Sequence, residues 1–175
     1  MFLRWIGRLL RIKIIMKSNF ERMIALAEEV FDTRNDPDQL NVSEHTMEQL
    51  QAIHPATLSE YDDGNGPVVW VLVIPTTEEV MNKFLRNEIN EQGVLDLTKP
   101  DVEYDSIYLC SALVLPEYRR KGIAEKLCIQ AIENIRINKT LKSLFVWSFS
   151  REGESLAEKI AKKSGLELYK KAISI

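Results

Sequence analysis

This chain is poor in the residues that build metal and redox sites. Its 175 residues include two cysteines, Cys110 and Cys128, and two histidines, His45 and His54. No Cys/His spacing matches a zinc motif, so no metal is expected. Both cysteines fall in apolar segments, which reads as buried thiols in a reducing compartment rather than a disulfide. A cationic surplus is also missing. The 23 Lys and Arg against 26 Asp and Glu leave a net charge of −3, which argues against broad nucleic-acid binding. No uninterrupted apolar run is long enough to span a bilayer. A signal peptide's apolar core and small-residue cleavage site are absent as well, so a cytoplasmic protein is expected. The sequence has no internal repeat, low-complexity tract or linker. What remains is ordinary for one globular domain with a sizeable core: 45% hydrophobic and 28% charged residues.

Residues 1–15 stand apart from the domain that begins at Met16. Arg4, Arg8 and Arg11 fall on one helical stripe, and Phe2, Leu3, Trp5, Ile6, Leu9 and Leu10 cover much of the rest. The segment fits an interfacial membrane helix, a first strand over Arg11–Ile15, or a leader ahead of an alternative start at Met16. A loosely attached extension or a start-site artefact is favoured over a membrane anchor, and the domain is expected over 16–175.

Within that domain the periodicities alternate. Phe20, Met23, Ile24, Ala27, Val30 and Phe31 behind Ser18 predict a helix. Ser43 or Thr46 can cap a second, short helix carrying Met47, Leu50 and Ile53, which ends at His54-Pro55. Asp62-Asp63-Gly64-Asn65-Gly66 is a turn. Val68–Ile74 is the clearest strand. Thr76 with Glu79 predicts a capped helix through about Leu85, followed by a connection from Asn87 to Asp101. Ile107–Val114 is a buried strand, and Ile123, Ala124, Leu127, Cys128, Ala131, Ile132 and Ile135 recur at helical spacing. Leu144–Phe149 is a further strand. Leu156, Ala157, Ile160 and Ala161 form a helix stopped at Gly165, and Leu166–Ile175 reads as a last strand. Strands and helices in this order predict an α/β (α+β) domain of three layers.

Between the strand ending at Val114 and the helix beginning near Ile123 lies Leu115-Pro116-Glu117-Tyr118-Arg119-Arg120-Lys121-Gly122. A helix start presents unpaired N–H groups and the positive end of the dipole. Glycine admits a close ligand approach, and three successive cations add charge. The junction reads as a seat for a phosphate or pyrophosphate.

Arg119-Arg120-Lys121-Gly122-Ile123-Ala124 resembles the acyl-CoA-binding signature of the GNAT superfamily of acyltransferases: Arg or Gln, two residues, Gly, one residue, then Gly or Ala. The resemblance is strongest over 104–165. It implies a central mixed sheet with helices on both faces and a splayed strand pair. Ala112 and Val114 would pair their backbones with the pantetheine arm. Arg119, Arg120, Lys121, Gly122, Ile123 and Ala124 would hold the pyrophosphate. The implied activity is N-acyl transfer, most simply acetyl from acetyl-CoA, to a small-molecule or protein amine by direct attack. A non-catalytic acyl-CoA binder or sensor is the alternative.

The sequence departs from the family at the chemistry. Tyr108 stands where several members place a glutamate base, and would orient the amine or a proton-relay water. Ala161 stands where others carry a tyrosine acid, four residues before Gly165, which leaves Ser148, Ser150 or solvent for that role. A helix is inserted after the Val68–Ile74 strand, and one strand follows Gly165 where two are common, so a homodimer could complete the sheet. Asp62, Asp63 and His54 are weighed as acceptor-site residues, with turn and loop roles preferred. Trp70, Trp147 and Tyr108 are expected around the groove that sets acceptor size.

Overall fold

In the computed structural model the described residues are 17–31, 38–40 and 43–172, so the readings of residues 1–15 lie outside them. Five strands form one mixed sheet in the order β1-β2-β3-β4-β5. The strands are β1 Leu58–Asp62, β2 Pro67–Thr76, β3 Ser106–Val114, β4 Ser143–Val146 and β5 Glu167–Lys170. β1, β2 and β3 are antiparallel, whereas β3, β4 and β5 are parallel. The helices are α1 Asn19–Phe31, α2 Glu44–Ile53, α3 Glu78–Leu85, α4 Glu91–Leu97, α5 Ile123–Arg136 and α6 Arg151–Ser164.

Alternation along β2 divides the core. Val69, Val71 and Val73 meet Ala124, Cys128, Ile132 and Ile135 of α5 and Ala157, Ile160 and Ala161 of α6. Leu72 and Ile74 point to the other face. There they join Leu50 and Ile53 of α2, Val80, Met81 and Phe84 of α3, and Val94 and Leu95 of α4. The three-layer α/β architecture is therefore present, with helices on both faces of the sheet.

Five local readings differ from the sequence expectations, the first being β4, which ends at Val146 rather than Phe149. The N-cap of α3 is Thr77, whose hydroxyl accepts from the Val80 N–H, rather than Thr76. Thr76 still belongs to β2, paired with Ser106, and its hydroxyl bonds that of Thr98 at 2.7 Å. The last strand is short because β5 pairs with only the four residues of β4. β1 was not foreseen: it is an edge strand whose Leu-Ser-Glu-Tyr-Asp sequence is largely exposed, so it carries no apolar alternation. α4 lies inside the expected connection from Asn87 to Asp101, where seven residues with Gly93 among them give no helical stripe. That glycine answers to crowding, since a Cβ there would lie 2.8 Å from Ile89 Cβ.

Candidate active site

β3 and β4 pair only from Ser106/Ser143 to Leu109/Val146. β3 then runs five residues further, Cys110–Val114, and among the described residues no strand covers it on that side. The ladder with β2 shifts register between Leu72 and Val73, leaving Cys110 as the extra residue of a bulge. Beyond the bulge the Leu115 N–H donates to the Val68 carbonyl at 3.0 Å. In an antiparallel ladder such pairs alternate. Leu113 and Ser111 therefore face β2 with their backbones, while Ala112 and Val114 turn theirs to the open side. The Val114 carbonyl accepts from Arg119 Nε at 3.1 Å. Unpaired strand groups need partners, and an extended amide-bearing ligand would supply them.

The strand leads into a 3₁₀ turn at Pro116–Tyr118 and then the cationic loop. Arg119, Arg120, Lys121 and Gly122 are all exposed. Arg120 has φ 61° and Gly122 φ 73°. A left-handed arginine is strained by about 1–3 kcal/mol, a cost commonly met at functional loops. Gly122 is the N-cap of α5 without a side-chain cap, so the N–H groups of Ala124 and Glu125 lack the usual capping oxygen and that of Ile123 is likewise outside the helix ladder. A Cβ at Gly122 would meet nothing within 4 Å, so the space above the helix start is open.

The loop is pinned from behind by contacts that sequence reading missed. Arg22 on α1 bonds Glu117 at 2.6 Å. The Tyr118 hydroxyl donates to Asp63 in the β1–β2 turn. This hydrogen bond and the Asn65 N–H hold the Asp63 carboxyl below the usual carboxylate range. Asp62 accepts from the Gly64 and Gly66 N–H groups at 2.6 and 3.1 Å. Both aspartates thus serve the turn and its link to the loop. His54 ends α2, and its Nδ1 accepts from the Ala56 N–H at 3.0 Å.

On the α2 face of the sheet an open cleft of about 700 Å³ borders the bulge. Cys110, Ser111 and Leu113 of β3, Trp70 of β2, and parts of α1 and α2 line it. Burial pushes the Cys110 thiol well above its ordinary range. Tyr108 lies one residue before the last paired position and is fully buried. Its ring stacks on Phe145 at 4.9 Å and meets Phe84 edge-on. Its hydroxyl donates to Glu91 Oε1 at 2.5 Å, while Glu91 Oε2 accepts from the Leu40 N–H at 2.6 Å. Desolvation, with the Glu91 carboxylate beside it, keeps the phenol well above its ordinary range. Glu91, a residue of the unforeseen α4, lines the cleft.

Of the other anticipated groove residues, Trp70 lines the cleft and donates to Glu60 at 3.2 Å. Trp147 packs instead against Phe84 and under the Lys171 ammonium. Its buried Nε1 has no hydrogen-bond partner among the described residues. Ser150 caps α6 through the Gly153 N–H, and Ala161 is buried in the core.

No protein-family model and no curated protein matches the sequence. Among solved structures, the chain is similar to the ligand-free crystal structure of an aminoglycoside 6′-N-acetyltransferase from Acinetobacter haemolyticus. Identity is 16%, the match covers 86% of this chain and 91% of that one, and the TM-score is 0.39. Among the described residues no helix is long and apolar enough to cross a membrane, and no cluster of three or more His, Cys, Asp or Glu side chains could hold a metal ion.

Proposed function

We propose that this protein is an acyl-CoA-dependent N-acyltransferase that moves an acetyl group from acetyl-CoA to an amine. The observation that carries the reading is the continuity of one surface. It runs from the strand-free edge of β3 at Ala112 and Val114, where the Val114 carbonyl holds Arg119, to the uncapped start of α5 at Gly122. An extended amide arm ending in a pyrophosphate is complementary to such a track: hydrogen bonds first, anion seat last. In this reading Arg119, Arg120 and Lys121 add charge to the backbone N–H groups of Gly122, Ile123 and Ala124. The bound thioester supplies an activated acyl carbon. The cleft beside Cys110 and Ser111 then holds the amine in line with it. A new C–N bond replaces the C–S bond, the amine's proton passes to the cleft or to solvent, and the thiolate takes a proton from water. Tyr108 acts in this scheme through Glu91, as a positioning residue.

Isothermal titration with acetyl-CoA and CoA is the test. Binding at micromolar concentration is expected for both, and no binding at millimolar ligand would sink the proposal. A second reading, an acyl-CoA binder without turnover, is favoured by Ala161 being a buried core residue, so that position offers no acid. Sustained thiol release that depends on a particular amine would reject it. The expected setting for either reading is the cytoplasm.

A further inference from the structure

The cleft beside the bulge has a chemical character that the acyltransferase reading alone does not specify. Among the described residues its charged lining is Glu28, Glu44, Glu60 and Glu91, with no Lys, Arg or His. Three of them are exposed at the rim, whereas Glu91 is 5% exposed, where α4 meets the cleft. Between rim and floor most of the wall is apolar, with Gln39, Ser43, Gln51, Ser59 and Ser111 as its uncharged polar members. Phe20, Ile24 and Phe149 are 56%, 41% and 54% exposed, and all three converge on this one cleft. Trp70 joins them, its ring edge-on to Phe20 at 5.9 Å. Large apolar side chains left in water at a single concavity mark a place where apolar surface is covered. A single-sign carboxylate lining draws a cation and repels anions.

We infer that this cleft takes an amphipathic amine. Its ammonium is directed toward Glu91, and its aromatic or branched alkyl body lies against Trp70, Phe20 and Ile24. The inference rests on reading the cleft as the acceptor side of an acyltransferase, and it narrows the acceptor. A polyhydroxylated amine such as an amino sugar would lay part of its hydroxyl surface against Phe20, Ile24 and the Trp70 ring, which give it no hydrogen bond, and that is costly. A neutral body of the same shape would forgo the attraction of four carboxylates. The buried carboxylate acts on Cys110 and shares the cleft with Ser111, where β3 parts from β4. An ammonium drawn to it ends at the site of transfer, not at the rim.

Binding is measured on the full-length protein by tryptophan fluorescence and titration calorimetry with 2-phenylethylamine, octylamine, 2-phenylethanol and glucosamine. The two apolar amines are expected to bind at least tenfold more tightly than the alcohol or the amino sugar. Glu91→Gln should bring the amine and the alcohol to similar affinity. Because Glu91 is tied to Tyr108 and Leu40, Met47→Lys, on the half-buried cleft face of α2, supplies a second variant. It should weaken 2-phenylethylamine at least tenfold while leaving 2-phenylethanol nearly unchanged. Equal binding of amine and alcohol, preference for glucosamine, or no apolar amine bound at 10 mM would each overturn the inference. Acetyl-CoA titrated alone separates the two levels. If the cofactor binds and no apolar amine does, the acceptor class is wrong and the acyltransferase reading stands. If the amines bind and acetyl-CoA does not, the transfer reading fails.

Discussion

Gly122 and Gly165 make a matched pair for testing the phosphate seat. Both have left-handed backbones, φ 73° at Gly122 and φ 68° at Gly165, and a Cβ at either would meet no atom within 4 Å. Gly122 caps the start of α5, and Gly165 caps the end of α6. Replacing either with alanine imposes the same left-handed cost, about 1–2 kcal/mol. At about 2–4 °C per kcal/mol for a domain of this size, each variant should melt roughly 2–8 °C below wild type. The two should part company on ligand. A methyl at Gly122 enters the open space where backbone N–H groups would reach a pyrophosphate. Charge-assisted hydrogen bonds contribute about 1.5–3 kcal/mol each, so loss of one predicts acetyl-CoA binding weaker by roughly 10–100-fold. Gly165→Ala should bind as wild type. Calorimetric unfolding and acetyl-CoA titration on the three proteins decide it. Equal melting shifts with equal affinity in all three would show that the start of α5 is not the seat.

The remaining predictions concern the groups around the site. Tyr108→Phe keeps the stacked ring but takes a donor from a buried carboxylate, so a loss of about 1.5–3 kcal/mol is expected by urea unfolding. Acetyl-CoA affinity should be unchanged and kcat should fall by ~10–100-fold, while a wild-type kcat would leave Tyr108 a purely structural aromatic. Burial, then the Lys139 charge, lowers the His54 pKa. The unfolded chain therefore takes up a proton first, and stability should be level above about pH 6.5 and fall below it. His54→Asn, which keeps an acceptor for Ala56 but does not titrate, should flatten the change in urea midpoint between pH 7.5 and 5.5. The depressed Asp63 carboxyl contributes stability above its unfolded value that is lost as pH falls through the folded one, so Tyr118→Phe should make acid unfolding below about pH 4 shallower. Burial pushes the Cys128 thiol up to about 12 and Cys110 is raised as well. Ellman's reagent should therefore leave Cys128 unreacted in the native protein, with Cys110 in the cleft slow at most, and find two thiols in denaturant; two fast native equivalents would contradict the burial of Cys128.

The local pattern of residues determined the elements that carry the cofactor reading. Val68–Ile74 and Ile107–Val114 are apolar runs rich in β-branched and aromatic residues, the α5 stripe is strongly periodic, and the Arg119–Ala124 run places clustered cations and a glycine at a helix start, which is what the proposed phosphate seat rests on. α6 and its Gly165 cap were legible for the same reason. Pairing was not legible in the residues themselves; the splayed strand pair was an expectation from the resemblance alone. The parting of β3 from β4 after Leu109 depends on β4 ending at Val146, and the bulge at Cys110 depends on register with β2. Neither leaves a mark on the strand's own residues. β1 was illegible because an exposed edge strand need not alternate, and α4 because a seven-residue helix spans barely two turns. That second miss hid Glu91, seventeen residues from Tyr108, which only the folding of α4 onto the sheet brings to its hydroxyl. Local chemistry is written in short windows of sequence. The acidic, apolar cleft is assembled from α1, α2, α4 and three strands, and only tertiary packing decides which of their faces meet.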